Sequence, residues 1–144
     1  MATYIVHTDG GSRGNPGTAG AGAVIANEAG QELATVAKPL GVMTNNQAEY
    51  WGVIFAFERL LELVREAGDE HPTVKHYLDS QLIAEQLAGR YKMKNPGLKP
   101  LFDRVRSLIL ELGGSVTSTH VPRAQNARAD ALANEAMDVQ GRME

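Results

Sequence analysis

Cysteine is absent from this 144-residue chain, which removes disulfides, thiolate chemistry and cysteine-ligated zinc from consideration. A basic surplus is absent too. The 14 Lys and Arg face 17 Asp and Glu, a formal net charge of −3, so bulk positive charge alone would not hold a nucleic acid here. A local basic groove stays open, because that balance includes any acids gathered around a metal. No apolar run approaches the roughly 18 residues of a membrane span. The N-terminus enters a strand pattern at Tyr4 with no basic stretch leading into an apolar signal core. Together these features predict a soluble, cytoplasmic protein with no membrane partner. Solenoid-length repeats and low-complexity tracts are missing as well, and the length fits a single domain over residues 1–144.

What is present begins with Tyr4–Thr8, an apolar strand pattern that delivers Asp9 where the strand would leave the sheet. Gly10, Gly11, Gly14 and Gly17 with Pro16 follow, so the backbone can turn tightly there and something large can approach the acid. Ala19–Ala26 reads as a second strand, closed by the turn Asn27–Gly30, and Gln31–Lys38 as a third that stops near Pro39. The three form an antiparallel meander.

From Thr44 the period changes. Tyr50, Val53, Ile54, Phe57, Leu60, Leu61 and Val64 recur at helical spacing, with Thr44–Gln47 as a capping box and Gly68 as the stop. Glu49 falls in the first turn on the stripe of Val53, Ala56 and Leu60, an unusual place for an acid. Trp51, Phe55 and Phe57 read as core. Thr73–Leu78 reads as a strand reached by a helical crossover, hence parallel to its neighbour, and it ends in Asp79. Ser80–Ala88 is a short helix, and the loop Gly89–Gly97 carries three basic residues around Tyr91. Leu98–Leu112 is a helix, Ser115–Val121 the last strand, and about Asn126–Val139 the final helix. The order of elements is that of an α/β fold with a mixed sheet.

If the strands ending at Asp9 and Asp79 are parallel neighbours, both carboxylates emerge at one sheet edge, where open α/β sheets place their ligands. Glu49 comes from the helix over that edge, and Asp130 from the start of the last helix. Each has an ordinary structural reading: a turn former for Asp9, a helix-dipole partner for Glu49 and Asp130, a helix cap for Asp79. Their coincidence at one edge favours a site. Four carboxylates together raise one another's pKa, and divalent cations resolve the conflict. Oxygen-only ligation suits Mg²⁺ or Mn²⁺, and a pair of such ions is the known device for in-line phosphodiester displacement.

Four blocks carry a family resemblance: Thr8-Asp9-Gly10-Gly11 with Gly14-Asn15-Pro16-Gly17, then Thr44 to Glu49, then Asp79-Ser80-Gln81, then Asn126 to Ala133. In this order and over residues 8–133 the chain resembles type 1 ribonuclease H. The resemblance implies a five-stranded mixed sheet, three antiparallel strands followed by parallel ones, flanked by helices. It implies hydrolysis of the RNA strand of an RNA/DNA hybrid with two Mg²⁺ ions, Mn²⁺ being a possible substitute, by a monomer. Asp9, Glu49, Asp79 and Asp130 match the metal-binding carboxylates, with Asp9 bridging the ions and Glu49 also touching the ribose 2′-hydroxyl. Asn15, Asn45, Asn46 and Gln81 match positions that contact the hybrid through its minor groove, a task suited to amides. Thr44 matches a position near a DNA-strand phosphate.

Two departures stand out. The best-known bacterial members carry a His in a glycine-containing loop before the last helix. Here that stretch is Val121-Pro122-Arg123-Ala124-Gln125-Asn126, without a His. His120 lies within the strand, and Arg123 is the better substitute, able to bind a scissile or leaving phosphate. The basic protrusion of some members is reduced to Arg90, Tyr91, Lys92, Lys94 and Lys99. His7, His71 and His76 carry no recognisable motif.

Overall fold

The computed structural model describes residues 2–144. Five strands, β1 (Thr3–Gly14), β2 (Gly17–Asn27), β3 (Glu32–Met43), β4 (Thr73–Leu78) and β5 (Ser115–His120), form one sheet in the order β3-β2-β1-β4-β5. β3, β2 and β1 pair antiparallel, and β4 and β5 continue parallel to β1. The helices are α1 (Asn45–Ala67), α2 (Gln81–Leu87), α3 (Lys99–Leu112) and α4 (Ala127–Met143), with a 3-10 turn at Arg123–Asn126 leading into α4. The predicted mixed α/β architecture is the observed one.

β1 differs from the expectation in an informative way. It does not leave the sheet at Asp9. It stays paired with β2 as far as Gly14↔Gly17, while its pairing with β4 stops at His7↔Tyr77. Asp9 therefore sits in mid-strand, beyond the end of the parallel ladder, and the turn is confined to Asn15 and Pro16. The glycines also have another reason. A Cβ on Gly10 would lie 2.2 Å from the Ala48 carbonyl oxygen of α1, and one on Gly22 would lie 2.4 Å from the Ala133 nitrogen of α4. They let two helices lie close on the sheet, whereas the sequence suggested access for a large partner. Gly10 meets α1 and Gly11 meets Met137 of α4. Since successive strand residues face opposite ways, α1 and α4 cover opposite faces.

Further differences concern β3, α4 and Glu49. β3 runs through Pro39 to Met43, which a sheet edge tolerates, with a register shift near Gly20↔Pro39. α4 continues past Val139 to Met143. Glu49 lies one turn inside α1, because the helix begins at Asn45 and its first turn holds no acid. The capping box is present: Gln47 N–H donates to the Thr44 hydroxyl at 3.2 Å, and Thr44 N–H to Gln47 Oε1 at 2.9 Å.

Tyr50, Val53, Ile54, Phe57 and Leu60 of α1 are buried against Val6, Ile25 and Leu78 of the sheet and Val105, Leu108 and Leu112 of α3. Each such side chain contributes about 1.5–3 kcal/mol through burial, enough to hold α1 rigidly over β1. Trp51 and Phe55 are half-buried and pack on this core.

Candidate active site

β1, β4 and α1 bring Asp9, Asp79 and Glu49 together at the sheet edge, with one carboxylate oxygen from each within 4.8 Å of the others. Asp79 stands directly after β4. It is not the cap of α2: that role belongs to Ser80, whose hydroxyl accepts from Ile83 N–H at 3.2 Å. Asp130, in the first turn of α4, faces the same cleft of about 290 Å³, which Asn45, Asn134 and Arg123 also line. Asp130 stands outside the 4.8 Å group of three yet close enough to act on Asp9.

The cluster is electrostatically unresolved. Burial, then the charge of Asp79, pushes Asp9 up to about 8; Asp130 adds to this and the Gly10 N–H opposes it. Burial, then Asp9 and Asp79, pushes Glu49 up to about 8 against the pull of the Asn45 amide. Acids so crowded hold protons at neutral pH unless a cation replaces them. An all-carboxylate, oxygen-only donor set of this kind fits a hard divalent cation, and Asp9, Glu49 and Asp79, with Asp130 opposite, are the residues that could hold it.

The amides fall in two places. Asn45 brackets the cluster: its Nδ2 donates to Glu49 Oε1 at 3.2 Å, and its Oδ1 accepts from Ser12 N–H at 3.3 Å. Asn15 Oδ1 accepts from Asn45 N–H at 3.0 Å, tying the β1–β2 turn to the start of α1. Asn15, Thr44, Asn45, Asn46 and Gln47 then line a groove of about 410 Å³ beside the acids, together with Asn95. Sequence reasoning missed Asn95. Its only signal was an Asn-Pro-Gly turn, which placed no residue near Thr44. Gln81, exposed at the start of α2, lines neither the cleft nor the groove.

Arg123 is 77% exposed, with Nη2 3.4 Å from Asp130 Oδ1. A surface pair of this kind contributes little stability, so its effect is to set a positive charge at the mouth of the cleft. His120 lines a separate groove with Glu85 and Arg90, away from the acids. Of the basic set, Arg90 is held by Glu85 at 3.0 Å and Lys99 by Asp103 at 2.6 Å, leaving Lys92 and Lys94 without an ion pair among the described residues.

No helix among the described residues is long and apolar enough to cross a membrane. Residues 7–136 match the family model described as reverse transcriptase-like. The chain is 40% identical over 135 residues to the bifunctional protein Rv2228c of Mycobacterium tuberculosis, covering 93% of this chain and 35% of that protein, so it spans about a third of that relative's length. It is 32% identical over 153 residues to a ribonuclease H of Ralstonia nicotianae, covering 96% of this chain and 94% of the relative. The crystal structure of LC11-RNase H1 in complex with RNA/DNA hybrid superposes with a TM-score of 0.87 at 42% identity, covering 94% of this chain and 96% of that one. With the sheet order, the acid cluster and these likenesses in agreement, the chain belongs to the type 1 ribonuclease H family.

Proposed function

We propose that this chain forms one catalytic domain, an endoribonuclease that hydrolyses the RNA strand of RNA/DNA hybrids with two Mg²⁺ ions, Mn²⁺ being an acceptable substitute. The observation that carries this reading is the crowding of Asp9, Glu49 and Asp79 within 4.8 Å, beside a groove lined by amides. Asp9, Glu49, Asp79 and Asp130 hold the ions. When bound, the ions activate water and offset charge on the leaving oxygen.

The remaining chemistry belongs to the chain. Asn45 holds Glu49 in place through its amide, and Asn15, Thr44 and Asn46 present donors and acceptors to the minor groove and sugar edges of an A-like duplex. Gln81 reaches the duplex from α2. Such contacts read shape and 2′-hydroxyls, so cleavage has little base preference. Arg123, always cationic, binds a scissile or leaving phosphate at the cleft mouth, and Lys92 and Lys94 supply a small, salt-sensitive phosphate handle. The protein acts as a monomer in the cytoplasm.

Labelled RNA/DNA hybrid, double-stranded RNA, double-stranded DNA and junction DNA incubated with purified protein and Mg²⁺ or Mn²⁺ test this. Cleavage confined to the RNA strand of the hybrid is expected. An intact hybrid with both metals, or equal cutting of another duplex, overturns the assignment.

A further inference from the structure

Backbone pairing between β1 and β4 ends at His7↔Tyr77, so Asp9 and Asp79 both stand beyond the last rung of the parallel ladder. A side-chain link braces that end of the ladder, from Thr8, one residue past the last rung on β1, to His76, one residue before it on β4. The Thr8 hydroxyl lies 2.8 Å from His76 Nε2, and His76 Nδ1 lies 2.8 Å from the Ser118 hydroxyl of β5. Thr8 is used a second time, since its carbonyl accepts from Asn126 Nδ2 at 2.9 Å at the end of the turn that leads into α4 and Asp130. Thr8, His76 and Asn126 are all buried, so water cannot replace a partner that is lost.

An apolar side chain at position 76 could fill the same space against Phe57, whose ring meets the imidazole edge-on at 5.1 Å, without burying two ring nitrogens. What the histidine adds is direction. Burial, with a smaller effect of His7, drives its pKa down to about 3. The ring is therefore neutral, with one nitrogen donating and the other accepting.

We infer that Thr8, His76 and Ser118 are positioning residues for the carboxylate cluster, a hydrogen-bonded chain, buried at Thr8 and His76, that sets the spacing of Asp9 and Asp79 at the end of the β1–β4 ladder. Through Asn126 the same residue, Thr8, also holds the start of α4 and so Asp130. The inference rests on the reading of the cluster as a metal site.

The test compares Thr8→Val, which keeps the volume and deletes the hydroxyl, with Thr8→Ser, which keeps the hydroxyl and deletes a methyl. Leu108→Ala, in the core and outside the cleft, controls for lost stability. Mn²⁺ affinity by calorimetry, thermal melting, and kcat and KM on hybrid are measured for each. Thr8→Val is expected to bind Mn²⁺ about 10- to 100-fold more weakly, as when outer partners of a metal site are removed, with kcat reduced and KM for hybrid unchanged. Thr8→Ser should stay close to the parent. Leu108→Ala should melt at lower temperature with parental Mn²⁺ affinity. Parental affinity in Thr8→Val, or an equal loss in both Thr8 variants, overturns the inference. Should Thr8→Val fail to fold, Ser118→Ala carries the test: a smaller loss in the same direction supports the inference and parental affinity overturns it. A parent that binds no Mn²⁺ and cuts no hybrid removes the proposed function and the inference with it. That outcome is distinct from an active parent whose variants match it.

Discussion

His76 and Asp9 are both buried and titratable, and both adjoin Thr8, one through a hydrogen bond and the other through the chain, yet the fold treats them in opposite ways. His76 is fully enclosed, has a partner for each ring nitrogen, and is held neutral. Its burial is complete within the protein. Asp9 is surrounded by Glu49, Asp79 and Asp130 and pushed up to about 8 by burial, then by Asp79 and Asp130. Among the described residues no cation pairs with it. A core polar group whose needs are met specifies structure. One whose needs are left unmet at a cleft marks a functional site.

The contrast can be broken most severely at Asp79. Asp79→Asn keeps the shape but removes a ligand and the charge that helps raise Asp9 and Glu49. Cleavage of labelled hybrid is expected to fall by about 10²–10³-fold or more, the scale on which losing one preorganised electrostatic partner acts. Parental turnover would remove Asp79 from the site.

A second test uses stability against pH without metal. Asp9 and Glu49 rest at about 8 in the folded protein and near 4 in an unfolded chain. Between those values the folded state binds more protons than the unfolded one. The contribution of these two groups is therefore fully present below about pH 4 and is lost as the pH rises through about 8. Asp9→Asn, which cannot ionise, should melt above the parent by several degrees at pH 8, and the gap should shrink by pH 5. Saturating Mg²⁺ should reverse the order by stabilising only the parent. Calorimetric melts across this range check both signs, and a gap that does not change with pH would show that Asp9 is not held protonated.

The smallest effect is expected at Arg123. Arg123→Ala should leave the melting temperature within about 1 °C, as for an exposed ion pair, and lower the hybrid-cleavage rate about 3- to 10-fold through the loss of one phosphate contact. Unchanged kinetics would make Arg123 a solvated cation and no more.

Much of this was legible before any coordinates. The period change at Thr44, the capping box and the stop at Gly68 define α1 because helix termini carry local chemical signals. The acids at positions 9, 49, 79 and 130 were identified because each was read as following or opening a regular element, which holds for Asp79 and Asp130, whereas Asp9 stands in mid-strand and Glu49 one turn inside α1. The path of β1 beyond Asp9 was not legible. Glycines read as a turn unless the helices that need a bare backbone beneath them are already in place, and only the contacts of Gly10 with Ala48 and of Gly22 with Ala133 reveal that need. The end of α4 escaped for a local reason: Gly141, a residue that ordinarily marks a stop, stands inside the helix, which runs on to Met143. His76 carried no motif, since its partners Thr8 and Ser118 lie on two other strands.

By itself, then, the order of residues determined the elements, the mixed sheet and the acids that belong to one edge, because period, capping and strand ends act over a few neighbouring residues. Tertiary structure decided that Asp9 stands where β4 has already stopped pairing with β1, that Asn45 braces Glu49, and that Thr8, His76 and Ser118 form one hydrogen-bonded chain. Those facts depend on register between strands and on burial. Both are set when distant segments pack, since only then does a hydroxyl lose its water and a carboxylate meet its neighbours.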